Sequence, residues 1–109
     1  MRQPNRGEGG GFVGMRNYEL TFIVHPELDK EGVTAAIEKV KQLVLDSGGQ
    51  VNQVDPWGKR RLAYPIRKQR EGYYVVMQVQ LPPEAISELE RRLEFSEEVL
   101  RYLLVRTDK

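Results

Sequence analysis

The chain has 109 residues, 39% of them hydrophobic and 30% charged, with no cysteine and one histidine, His25. That length fills one domain and no second core, the lack of cysteine excludes disulfides, thiolate zinc sites and cysteine nucleophiles, and a lone imidazole leaves no triad chemistry to assemble. The formal net charge is +1, yet Lys59, Arg60, Arg61, Arg67, Lys68 and Arg70 stand within twelve residues that hold no acid, so the other eleven Lys and Arg face sixteen Asp and Glu, a balance of −5.

Residues 1–14 contain five glycines and one proline, with Phe12 and Val13 as bulky apolar groups. So little burial cannot offset the entropy of ordering, and the segment reads as a flexible Gly-rich extension ahead of a single folded domain, residues 15–109. It has no apolar h-region and no small-residue cleavage site, which points to a cytoplasmic protein, and no apolar run is long enough to cross a membrane.

Tyr18, Leu20, Phe22 and Val24 alternate with Glu19, Thr21 and Ile23, the period of a strand, and His25-Pro26 closes it because proline cannot donate to the ladder. Asp29 then caps a helix reaching about Ser47, with Val33, Ile37, Val40 and Val44 at helical spacing and Gly48-Gly49 as the stop. A second extended stretch spans Val51 to Ile66, with a kink or bulge expected at Pro56-Trp57-Gly58. Trp57, between proline and glycine, reads as a packing anchor of the core. Residues 67–72 read as the loop of a hairpin, and Tyr73 to Leu81 as the clearest strand of the chain, with Tyr73, Val75 and Met77 on one face and Tyr74, Val76, Gln78 and Gln80 on the other. Pro82-Pro83 opens a second helix whose buried stripe is Ile86, Leu89 and Leu93. Its outer side is acidic, six glutamates against Arg91 and Arg92 over residues 84–98, which repels a polyanion. Val99 to Arg106 supplies a last strand. The order βαββαβ predicts an α+β split sandwich, a four-stranded antiparallel sheet with two helices on one face.

A basic strip with Tyr64 inside it and Tyr73 and Tyr74 beside it is the footprint of a nucleic-acid surface. Guanidinium groups grip phosphate oxygens bidentately, but Arg60 and Arg61 are adjacent on a strand and must point to opposite faces, so the two serve different purposes. Arg67, Lys68 and Arg70 are expected at a mobile loop tip. Tyr74 and Val76, on the face away from the helices, are candidates for contact with a partner protein.

The residues themselves carry a likeness. Met15-Arg16-Asn17-Tyr18-Glu19, His25-Pro26, Gly58-Lys59-Arg60-Arg61-Leu62-Ala63-Tyr64-Pro65-Ile66 and Glu71-Gly72-Tyr73-Tyr74 resemble the bacterial small-subunit ribosomal protein S-six family from Met15 to about Thr107. Members usually start at the position of Met15, so residues 1–14 are either an extension or upstream codons ahead of the true start. The resemblance implies a ferredoxin-like fold, a structural and non-enzymatic role in the small ribosomal subunit, no cofactor, and binding to the central domain of small-subunit ribosomal RNA together with ribosomal protein S-eighteen. It implies RNA contacts near Arg16 and along Lys59, Arg60, Arg61, Tyr64, Arg67 and Lys68, with Arg70 beside them.

Two other uses of the architecture compete. An acylphosphatase-like hydrolase needs an anion cradle between the first strand and the first helix, where this chain has His25-Pro26-Glu27-Leu28-Asp29, with two acids and neither arginine nor glycine. An RRM-like single-strand RNA-binding module would place aromatics on Gly72-Tyr73-Tyr74-Val75-Val76, but Tyr74 and Val75 stand where that module has a small residue and then an aromatic.

Overall fold

A computed structural model describes residues 14–108. The expected flexible extension, apart from Gly14, lies outside the described residues. The elements are β1 (Arg16–Val24), α1 (Lys30–Asp46), β2 (Gln50–Ile66), β3 (Gln69–Leu81), α2 (Ile86–Phe95) and β4 (Val99–Arg106). The strands form one antiparallel sheet in the order β2-β3-β1-β4. This is the ferredoxin-like α+β arrangement, with both helices on one face.

Local chemistry explains the boundaries. The Asp29 carboxylate accepts from the Gly32 N–H at 2.7 Å, satisfying one of the orphan donors at the start of α1. At its end, Gly48 takes a φ of +86°. Its N–H reaches the Leu45 carbonyl and the Gly49 N–H reaches that of Val44, a Schellman closure that needs a residue free to turn left-handed. At the other helix, Pro82-Pro83 opens a 3-10 turn over Pro83–Ala85 before α2 begins at Ile86, later than the sequence pattern suggests. The Ala85 N–H bonds the Pro82 carbonyl, an i to i+3 closure typical of a helix entry.

The core lies between sheet and helices. Leu20, Phe22 and Val24 of β1, Val75, Met77, Val79 and Leu81 of β3, Val40 and Val44 of α1, and Leu89 and Leu93 of α2 are all buried in it. The expected stripe on α1 is shifted: Ala36, Val40 and Val44 are its buried line, with Val33 and Ile37 half-buried at its margin. A second, smaller cluster sits on the opposite face and joins Ile23, Leu62 and Leu100, with Ile66 and Tyr74 against it.

Two ionic clasps hold the periphery. Lys39 Nζ of α1 reaches Glu98 Oε2 at 2.9 Å, and Arg106 Nε reaches Asp108 Oδ1 at 2.7 Å while the Asn17 N–H donates to Asp108 Oδ2 at 3.0 Å. The hydrogen bond from Lys39 depresses the Glu98 carboxyl below its ordinary 4.5, and that from Arg106 depresses Asp108 below 3.8. Because both folded values lie below the unfolded ones, the stability they contribute is complete above those ordinary pKa values and is lost as pH falls through the depressed ones. Thermal midpoints are therefore expected to hold level down to about pH 5 and to decline below it. In Lys39→Met the decline is expected to be shallower, and an identical acid slope in that variant would show that Glu98 contributes nothing.

Candidate nucleic-acid interface

β2 and β3 are 17 and 13 residues long, whereas β1 has nine. The last residue of β1, Val24, pairs with Tyr73, so the hairpin beyond that pair projects past the sheet as a two-stranded arm. The basic segment forms this arm. Lys59, Arg60, Arg61, Arg67, Lys68 and Arg70 are all exposed, and among the described residues none of them forms an ion pair. Cations on a projection that are not tied into ion pairs keep most of their attraction for an approaching polyanion.

The arm arises from irregularities in β2. Pro56 pairs with Val75 and Gly58 with Tyr74, which leaves Trp57 as the extra residue of a bulge, with Gly58 at φ +90°. The bulge was expected, but Trp57 is not core: it is 48% exposed. An extra bulged residue has no ladder partner and is pushed outward. There its indole lies on the Tyr74 ring, centroids 6.4 Å apart and 17° from parallel, and donates Nε1–H to Asp55 at 3.1 Å. Arg60 Cζ lies 5.3 Å from the centre of the Trp57 ring system, a third layer held partly by attraction to the π face.

Strand alternation separates the cations as expected. Arg60 is opposite Gly72 and Arg61 opposite Glu71, on opposite faces of the arm, while Lys59 stands over the Tyr73 ring at 5.5 Å on the helix side. Arg61 and Arg70 line one notch together with Pro26, Gln69 and the acidic Glu71, which lies opposite Arg61 in the ladder. A further irregularity follows: between the pairs Arg61–Glu71 and Ile66–Gln69, β2 holds four residues and β3 one. This excess length curls the arm back over the open face of the sheet. Leu62 is thereby buried with Ile23 and Leu100, and the Tyr64 hydroxyl accepts a hydrogen bond at 2.7 Å from Arg101 Nη1 of β4, at the far edge of the sheet. Tyr64 still keeps 57% of its surface exposed.

The hairpin is tighter than the sequence suggests. Only Arg67 and Lys68 form the turn, and Arg70 belongs to β3. The six-residue loop expected over 67–72 is replaced by a two-residue connection because Gln69, Glu71 and Gly72 find ladder partners on β2. Nor does the acidic helix lie wholly apart from the arm. Arg67 lines a shallow recess with Glu94, Leu100, Arg101 and Tyr102, although no ion pair to Glu94 forms. Tyr102 donates to Glu94 at 3.1 Å, and burial together with that bond pushes its hydroxyl up to about 12, so it stays protonated.

Arg16 is separate from this group. It begins β1, eight residues before Val24, so roughly 26 Å of strand at about 3.3 Å per residue lies between it and the base of the arm. Its guanidinium donates to the Met15 carbonyl at 3.3 Å. Of the partner-protein candidates, Tyr74 is half-buried under Trp57, and Val76 is only 8% exposed. The residues that do present apolar surface beside them are Leu103 and Val105 of β4, 63% and 45% exposed. Register places these two opposite Thr21 and Glu19, on the face away from the helices. Their signal was present in Val99-Leu100-Arg101-Tyr102-Leu103-Leu104-Val105, a strand apolar on both faces, which implies that its outer face is also covered.

The family model described as Ribosomal protein S6 matches residues 17–106. Among curated proteins, the chain is 50% identical over 95 residues to a small ribosomal subunit protein bS6 of Moorella thermoacetica, covering 87% of this chain and 97% of that one. It is 48% identical over 95 residues to the protein of the same name from Mycobacterium tuberculosis, covering 87% and 99%. Among solved structures, a crystal structure of 30S ribosomal protein S6 from Thermotoga maritima superposes with a TM-score of 0.80 at 30% identity, covering 85% of this chain and 88% of that one.

Proposed function

The chain belongs to the ribosomal protein S6 family, and from that membership we propose that it binds the central domain of small-subunit ribosomal RNA jointly with ribosomal protein S-eighteen, as a structural and non-catalytic component. The observation that carries this reading is the projecting arm with six exposed cations, none of them paired among the described residues, in a chain otherwise negative. Arg60 and Lys59 grip from the two sides of the strand. Arg61 and Arg70 add a second contact beside Glu71, with a net positive charge, and Arg67 and Lys68 the tip. Tyr64 stands among them with an exposed ring face, fixed by Arg101. Arg16 would serve a separate contact at the far end of the sheet. The partner protein docks on the open face, with Tyr74, Leu103 and Val105 as its apolar footing and Val76 only at its margin. The ribosome places the protein in the cytoplasm.

Affinity for RNA on this account is largely electrostatic. If four to six phosphates are neutralised, the logarithm of the binding constant is expected to fall against the logarithm of salt concentration with a slope of about −3 to −5. The measurement is a salt titration of the chain with S-eighteen on a central-domain transcript. A slope near zero would remove the basis of the proposal. Tight binding to a short unstructured oligonucleotide without any partner would instead favour the single-strand module.

A further inference from the structure

The turn that joins β2 to β3 is built from unsuitable residues. Ile66 pairs with Gln69, so Arg67 and Lys68 alone make the connection, with φ of +50° and +66°. Two consecutive positive φ values define the type I′ turn, whose twist matches that of the flanking strands and whose favoured residues are Asn-Gly, because a larger L side chain crowds its own backbone there. Among the described residues these are the only two other than glycine with positive φ. Strain of this kind is retained where the residues do something that the comfortable ones would not.

What Arg-Lys supplies and Asn-Gly does not is charge. Both side chains are exposed, and among the described residues neither meets a carboxylate within ion-pair distance. The turn is also braced rather than free: Ile66 packs against the Ile23, Leu62 and Leu100 cluster on one side, and Arg67 lines the recess beside Leu100 and Arg101. A strained pair on a rigid footing holds its charges in a fixed place, whereas the same charges on a floppy loop would lose entropy on contact. We propose that the Arg67-Lys68 turn is a dedicated phosphodiester-docking element, kept left-handed at a cost in stability so that two cations project from the apex of the arm. This rests on the RNA-binding reading above and adds that stability and RNA affinity oppose each other at these two positions.

The test compares two double variants with the unaltered chain, each assayed for thermal midpoint and for binding, with S-eighteen, to a central-domain transcript across a salt series. Arg67→Asn with Lys68→Gly relieves the strain and removes the charges. It is expected to raise the midpoint by about 5 °C, to weaken RNA binding about tenfold or more, and to reduce the salt slope by about 1.4 to 1.8. Arg67→Gln with Lys68→Gln removes the charges and keeps the strain, so binding is expected to weaken alike with the midpoint within a degree or two. An Asn-Gly variant that is more stable but binds as tightly as the unaltered chain would overturn the docking role. One that is no more stable would overturn the strained-turn premise. Failure of the unaltered chain to bind in a salt-dependent way would instead count against the function proposed above.

Discussion

Replacing Arg60, Arg61, Arg67 and Lys68 together by alanine is expected to weaken joint binding to central-domain RNA by roughly a thousandfold or more, taking about 1 kcal/mol for each lost phosphate contact. The salt slope should flatten at the same time by about 3. The domain itself should stay folded, because all four side chains are exposed and, among the described residues, none is tied into an ion pair. Exposed substitutions of that kind seldom move stability much. Arg60 has one internal contact, over Trp57, so a thermal midpoint lower by a degree or two is consistent with the account. Filter binding and a melting curve on the same sample decide the matter. Unfolding, or retained affinity in the folded variant, would each show that the arm is structural rather than an RNA contact.

Phe22→Ala is expected to cost about 3–5 kcal/mol, the range for an aromatic removed from a core that cannot collapse around the hole. Phe22 has no exposed surface, and its neighbours Leu20, Val24, Val75 and Met77 belong to the same cluster. A domain of this size is typically stable by about 5–15 kcal/mol, so the loss is a large share of the total and should lower the melting temperature by roughly 15–25 °C. Leu62→Ala provides the contrast. Leu62 belongs to the small cluster under the arm, so its loss should release the arm while the sheet and helices persist. Amide exchange is expected to rise first at Arg60 to Gly72, with Phe22 and Met77 still protected. Uniform loss of protection would mean that the two clusters form one cooperative unit.

Period alone was enough for much of this molecule. Tyr18 to Val24 and Tyr73 to Leu81 alternate so cleanly that their strands and buried faces follow from side-chain geometry. Asp29 and Gly48-Gly49 mark the ends of α1 because capping and left-handed turning are properties of those residue types. The opposite orientation of Arg60 and Arg61, and the bulge at Pro56-Trp57-Gly58, are local consequences of the chain as well. The concentration of charge from Lys59 to Arg70 needed no structure to be seen.

Other features depend on what a segment meets across the fold. Trp57 has the residue type of a core anchor, yet the bulge turns it outward onto Tyr74, and no local pattern specifies which way an extra residue is expelled. Gln69, Glu71 and Gly72 resemble a loop until β2 offers them a ladder, and Arg70 is carried into the strand by its paired neighbours. Leu62 and Leu100 are 38 residues apart in sequence and Tyr64 and Arg101 are 37 apart, so their contacts exist only because three surplus residues in β2 fold the arm back across the sheet. Arg16 reads as part of the basic surface, but pairing sets it at the opposite end of β1. Local propensity and alternation therefore decided the elements and the sign of the charge on the arm. Register, bulges and long-range packing decided where that charge is held, because they depend on pairings between distant residues that no single segment encodes.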